Sequence, residues 1–303
     1  MSRIHEALKR AEQERAAARG IAQGGSSTGG GVHLSESQSG SGTASASGLP
    51  ETLELDTLLA RCPQMPWKPD EKTLLFFGPD DMARGTEQFR TLRSRLYLTR
   101  EKMPLKKILV SSALPKEGKS FTSANLAQVL ARQHGRRVLL IDADMRGPRL
   151  HLMLGTEPAP GLCDYLQGTS DELAIMQRGP MENLFFVPSG KHIADAAELV
   201  ANGRLKLLLD RIESLFDWIV IDSPPAVPVS DATILAKSCD GVVLVVRSNA
   251  TPIEMARRAR EEFPDEILLG VVLNGTDHDS IPYSRYYYDT YVKPAAGESK
   301  PQS

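Results

Sequence analysis

The chain has 303 residues, 41% hydrophobic and 24% charged, with a formal net charge of -2 at pH 7. That length admits one large α/β domain with extensions, and the balanced charge gives no global pull toward nucleic acid, so no nucleic-acid partner is expected. No apolar run reaches the roughly 18–20 residues of a membrane helix, the N-terminus lacks an apolar signal core, and the scattered Cys62, Cys163 and Cys239 show no metal-ligand spacing and suit a reduced, cytoplasmic compartment.

Residues 2–19 read as an amphipathic helix. Ser2 can cap it, Ile4, Ala7, Leu8 and Ala11 form one stripe, and Lys and Arg flank Glu on the other face. A frayed terminal helix and a docking element fit this pattern equally. Gly and Ser dominate from Gln23 to Gly48, so residues 20–50 are assigned as a linker too poor in apolar surface to order. The folded domain is expected over 51–280. Trp67, Leu74, Leu75, Phe76 and Phe77 should pack on its edge. A helix follows over Thr86–Leu98, with Phe89, Leu92 and Leu96 inward. Glu87, Arg90 and Arg93 lie at i, i+3 and i+6 along one side, where charges usually form a solvated, salt-bridged face.

Residues 108–120 read as a buried strand, a tight loop and the first turn of a helix. Ala113, Gly118, Lys119 and Ser120 fit the phosphate-loop pattern G-x-x-x-x-G-K-[ST], with Ala at the first position. Small residues let successive backbone N–H groups face phosphate oxygens, and the following helix N-terminus adds partial positive charge. Lys119 is a mobile point charge for β- and γ-phosphates, and the Ser120 hydroxyl is a hard ligand for Mg²⁺. The nucleotide-binding stretch therefore comprises Ala113, Leu114, Pro115, Lys116, Glu117, Gly118, Lys119, Ser120 and Phe121. An apolar-periodic helix from Phe121 to Gln133 ends near Gly135.

Arg137–Arg149 begins as a strand buried on both faces and ends in Asp142 and Asp144, which should share one side at i, i+2. Ligands of open α/β sheets bind at the carboxyl ends of strands. Residues 161–215 should hold short helices and one strand over Asn183–Pro188, with Ala194–Phe216 largely helical. Asp217–Asp222 is a third apolar strand finished by a carboxylate. Asp222 either caps a turn before Pro224 or holds Mg²⁺, and the company of the phosphate loop and of Asp142 and Asp144 favours the metal. Gly241–Arg247 and Ile267–Leu273 are strands around a helix over Thr251–Phe263. Asn274 ends the last strand, where its amide could meet an adenine edge. Residues 281–303 are assigned as a tail in which Tyr283, Tyr286, Tyr287, Tyr288 and Tyr291 cluster between Pro282 and Pro294.

Together these features give an α/β, P-loop NTPase-like fold with a mostly parallel central sheet and helices on both faces. They resemble the bacterial tyrosine autokinases (BY-kinases) of capsule and exopolysaccharide synthesis over about residues 84–292. The resemblance rests on Ala113–Ser120, the h-h-h-D-x-D-x-R strand with Asp142, Asp144 and Arg146, the I-D-S-P-P strand with Asp222, and the tyrosine cluster. Glu87, Arg90 and Arg93 match the family's E-x-x-R-x-x-R oligomerisation helix, so the resemblance makes them subunit contacts.

It implies an ATP- and Mg²⁺-dependent protein tyrosine kinase that phosphorylates its tail tyrosines, in trans, within a ring. In that reading Lys119 neutralises phosphate oxygens, Ser120 and Asp222 place Mg²⁺ with Asp144 beside it, and Asp142 accepts the phenol proton, the roles of the two strand-end aspartates being exchangeable. Arg146 holds the acidic pair or the approaching tail. The implied partners are a membrane polysaccharide co-polymerase on a separate chain, which recruits the kinase to the inner face of the membrane, and an opposing tyrosine phosphatase. The nearest rival is the partition and division-site ATPase group. It carries a lysine in the register held here by Leu114, and the tyrosine tail is foreign to it. One departure from the kinase pattern is the segment from His192, where the family often has a proline-rich turn.

Overall fold

The computed structural model describes residues 54–62, 64–77, 85–191 and 195–276. The expected helix at 2–19, the linker, residues 192–194 and the tyrosine cluster lie outside the described residues.

Seven strands form one sheet in the order β3-β4-β2-β5-β1-β6-β7, where the strands are β1 (Lys107–Ser112), β2 (Val138–Asp142), β3 (Gln177–Arg178), β4 (Leu184–Val187), β5 (Trp218–Asp222), β6 (Gly241–Arg247) and β7 (Leu268–Asn274). All neighbours run parallel except the two-residue β3 against β4. The continuous apolar runs explain this. Residues of β1, β2 and β5 are buried on both faces, as parallel strands covered by crossover helices must be. Alternate side chains feed two separate cores. Leu109, Ile141, Phe185, Ile219 and Leu244 point to one face, and Val110, Leu140, Phe186, Val220 and Val243 to the other.

The helices are α1 (Leu55–Arg61), α2 (Thr86–Arg100), α3 (Lys119–Ala131), α4 (Leu150–Leu154), α5 (Leu162–Leu166), α6 (Ala196–Ala201), α7 (Arg204–Ile212), α8 (Asp231–Ala236) and α9 (Ile253–Glu261). Helix α3 is buried nearly all round, because α2 and the strap at 64–77 cover the side that the sheet does not. Asn125 and Gln128 make that possible. Asn125 Nδ2 donates to Thr73 O, its Oδ1 accepts Leu75 N–H, and Gln128 Oε1 accepts Phe76 N–H, so both buried amides are spent on the strap's backbone. Trp67, Leu74 and Phe76 are buried there as expected, with Leu75 and Phe77 partly so.

The stretch expected to be largely helical from Ala194 to Phe216 is so within its described residues, as two helices and a short 3₁₀ turn over Glu213–Leu215. Gly203, at φ +81°, ends the first and starts the second. Helix α9 begins two residues later than expected, behind Pro252. The short helices α4 and α8 had no periodic signal long enough to announce them.

Candidate nucleotide and metal site

The strand register gathers the carboxylates. Asp142 on β2 is paired with Asp222 on β5, and Asp222 with Val110 on β1, at one end of the sheet. The phosphate loop leaves β1 three residues beyond Val110, and Lys119 opens α3. Loop, lysine and acidic strand ends therefore converge outside the carboxyl edge, at the β1 strand between β5 and β6.

Within the loop Gly118 sits at φ +98°, and a Cβ there would lie 2.0 Å from Asn274 Nδ2. Only glycine fits this position. Asn274 Nδ2 donates to Glu117 O at 2.9 Å, so the amide expected to meet adenine holds the loop from the end of β7. The Glu117 side chain turns inward, away from solvent, and its Oε2 accepts Leu114 N–H at 2.8 Å. Lys116 adopts φ +66°, in the left-handed region.

Lys119 Nζ lies 2.6 Å from Asp144 Oδ2, and both residues are buried. Burial works against the lysine's charge, but Asp222 and Asp144 outweigh it and raise the pKa. Asp142 is wholly buried. Its Oδ1 accepts Asp144 N–H at 3.2 Å and its Oδ2 accepts Leu150 N–H at 3.1 Å. Burial raises its pKa, and repulsion from Asp222 adds to that. Both aspartates act on the charge of Lys119, Asp144 by direct contact and Asp142 from farther off. Strand β2 ends at Asp142, and the turn after it swings Asp144 onto Lys119.

Asp222 is also buried, which raises its pKa against the pull of Lys119. Its Oδ1 is 2.9 Å from Ser123 Oγ, whereas its Oδ2 is buried without a hydrogen-bond partner. A buried carboxylate oxygen left without a donor is what a hard cation satisfies. The residues fit Mg²⁺: Asp222 and the Ser120 hydroxyl, which act on each other, would hold it, with Asp144 beside them. No cluster of three His, Cys, Asp or Glu suited to a metal occurs among the described residues. That accords with an ion held by one or two carboxylates, waters and substrate phosphates.

Arg146 does not lie on the acidic pair. Its Nε and Nη2 donate to the two carboxylate oxygens of Asp231, at 2.8 and 3.1 Å, and Asp144 exerts a weaker pull. Glu87 pairs with Arg90 on α2, and Arg93 Nη1 donates to Val129 O at 3.1 Å, tying α2 to α3. Sequence reading missed Asp231, Ser123 and Thr251. Asp231 had a usable signal, an acid directly after Ser230 ahead of the apolar Ala232, Leu235 and Ala236. Ser123 and Thr251 had none.

A phosphate loop at β1 and acidic ends on β2 and β5 define a nucleotide-binding α/β domain of the phosphate-loop class. A family model described as "AAA domain" matches residues 106–256. The tyrosine-protein kinase YwqD of Bacillus subtilis is 36% identical over 209 residues, which is 68% of this chain and 87% of YwqD. The tyrosine-protein kinase CpsD of Streptococcus agalactiae is 34% identical over 211 residues, 67% of this chain and 90% of CpsD. The crystal structure of the chimerical protein CapA2B2 superposes with a TM-score of 0.64 at 26% identity, covering 74% of this chain and 99% of that one. The chain belongs to the bacterial tyrosine-protein kinases.

Proposed function

We propose that this chain is an ATP- and Mg²⁺-dependent protein tyrosine kinase whose acceptor is its own tyrosine cluster. The observation that carries the reading is the convergence of Lys119, Asp142, Asp144 and Asp222 on one strand edge, in a chain whose C-terminal segment concentrates five phenols within Tyr283–Tyr291. Phosphoryl transfer needs mainly alignment and charge stabilisation. The loop amides and Lys119 supply that for the β/γ oxygens. Mg²⁺, when bound, would supply positive charge to offset theirs. Ser120 and Asp222 hold it in place.

A tyrosine hydroxyl, with pKa about 10, reaches the site neutral. Its proton goes to Asp142 at the end of β2 or to Asp144 just beyond it, the two roles being exchangeable. The phenol oxygen bonds to phosphorus as the bond to the β-phosphate oxygen breaks, leaving phosphotyrosine and ADP.

The tail enters a neighbour's site in a ring, with Glu87, Arg90 and Arg93 of α2 on the subunit surface. Each phosphate adds about -1.5 to -2 charges. Several within a few residues repel one another inside the ~8 Å screening length, and they loosen the ring. No helix among the described residues is long and apolar enough to cross a membrane. In this reading a separate polysaccharide co-polymerase recruits the kinase to the inner face of the membrane, a phosphatase resets the tail, and the cycle regulates exopolysaccharide synthesis.

Labelled ATP tests the reading: label on tail tyrosines supports the kinase, and free phosphate alone supports a nucleotide-switched ATPase of the partition type.

A further inference from the structure

The phosphate loop carries backbone strain that its own sequence does not relieve. Lys116 is a non-glycine residue at φ +66°. Such a residue is strained and persists where its surroundings over-determine it. Here the surroundings are the ends of β6 and β7. Arg247 Nη1 donates to Lys116 O at 3.2 Å. Asn274 Nδ2 donates to Glu117 O at 2.9 Å. The buried Glu117 carboxylate accepts Leu114 N–H through one oxygen and the hydroxyl of Thr251 through the other. Thr251 in turn accepts Arg247 N–H at 3.1 Å, which locks it to the last residue of β6.

We propose that Thr251 is a positioning residue for the nucleotide. Through Glu117 it fixes the Leu114–Gly118 turn in the shape whose amides receive phosphate. Thr251 touches no phosphate in this scheme. It stands outside the loop motif, 131 residues beyond Ser120, in the turn between β6 and α9. A carboxylate beside a polyphosphate site is unfavourable unless it is spent elsewhere, and the two donors on Glu117 spend it. The bonds from the Thr251 hydroxyl and from Leu114 N–H end on one carboxylate, which makes them the strong members of the brace and couples the hydroxyl to the loop. The ligand is a nucleoside di- or triphosphate, so the affinity arm of the test rests on the proposed kinase reading; the exchange arm does not.

Thr251→Val keeps the branched shape and removes only the hydroxyl, and Thr251→Ser restores it. Two measurements on the full chain decide the matter. Amide hydrogen exchange without nucleotide should quicken about tenfold at Leu114 and its loop neighbours in Thr251→Val, with exchange in α3 and β1 unchanged. ADP titration by calorimetry should show affinity about tenfold weaker for Thr251→Val and near wild type for Thr251→Ser. In the labelling assay KM for ATP should rise while kcat stays within about twofold. Unchanged loop exchange in Thr251→Val overturns the brace, whether or not wild type binds ADP. Faster loop exchange with undiminished ADP affinity overturns the positioning role. No ADP binding by wild type contradicts the nucleotide reading itself, and with it any positioning role for Thr251.

Discussion

Asp144 Oδ2 takes the terminal ammonium of Lys119 at 2.6 Å, so the cation that should meet phosphate lies against a carboxylate. Both groups are nearly out of water, so each depends on the other. Lys119→Met would therefore do two things. It removes label transfer by at least about 100-fold, the scale for losing one preorganised charge at a transition state. It also lowers stability by about 2–3 kcal/mol, since Asp144 is left buried without its partner. Urea unfolding should show that loss, and adding Asp144→Asn to Lys119→Met should return part of it.

Asp222 makes the opposite trade between stability and activity. Its unpartnered Oδ2 is a cost to the metal-free fold. Asp222→Asn should keep stability within about 1 kcal/mol of wild type or raise it, while cutting kinase activity by at least about 100-fold. Mg²⁺ alone should raise the Tm of wild type by mass action and leave that of Asp222→Asn unmoved. Equal Mg²⁺-induced shifts in the two proteins would remove Asp222 from the metal site.

Gly118→Ala meets two obstacles at once, a φ of +98° and a Cβ 2.0 Å from Asn274 Nδ2. It should cost about 1–3 kcal/mol and abolish detectable ADP binding. Gly118→Ala with Asn274→Ala relieves the contact but not the backbone strain, so stability should recover in part and binding should not. Calorimetry on both variants checks this.

Asp217 sets a pH dependence far from the reaction. Burial works against its charge, but Arg137 N–H at 2.9 Å and Arg136 Nη1 at 2.7 Å outweigh that and hold the carboxyl below its usual range. Its folded pKa lies below the unfolded value of about 3.9. The stability it contributes is thus fully present above about pH 4 and is lost as pH falls through the folded pKa. Asp217→Asn should lower stability at pH 7 and flatten the acid limb. Urea midpoints measured between pH 3 and 7 read this out.

Loading the tail with phosphate should shrink the particle. Light scattering before and after ATP with Mg²⁺ should show a smaller mass for wild type, and an unchanged mass for Lys119→Met. An unchanged mass in both would reject charge repulsion as the means of ring release.

The fold was legible because β1, β2 and β5 carry uninterrupted apolar runs, and β2 and β5 each end in an aspartate of the site. Parallel, doubly buried strands leave no other pattern, so β1, β2 and β5 could be placed from composition alone. The phosphate loop was legible for the same local reason: Gly118, Lys119 and Ser120 act at fixed spacing. What sequence could not show were contacts made across long separations. The strap's grip on Asn125 and Gln128, the fork of Arg146 on Asp231 and the bond from Thr251 to Glu117 join residues from about 50 to over 130 positions apart. No periodicity announces such pairs. Asp142 and Asp144 show the intermediate case. Their i, i+2 spacing was read as a strand end; the strand stops at Asp142, and the turn after it carries Asp144 to Lys119, a contact that alternation alone does not announce.

The central claim is that this strand edge passes phosphate from ATP to the chain's own phenols. Purified protein should be incubated with γ-labelled ATP and Mg²⁺ and its phosphosites mapped by mass spectrometry. The account predicts phosphate on residues among Tyr283, Tyr286, Tyr287, Tyr288 and Tyr291, and none in Lys119→Met. Release of free phosphate with the five tyrosines unmodified would contradict it.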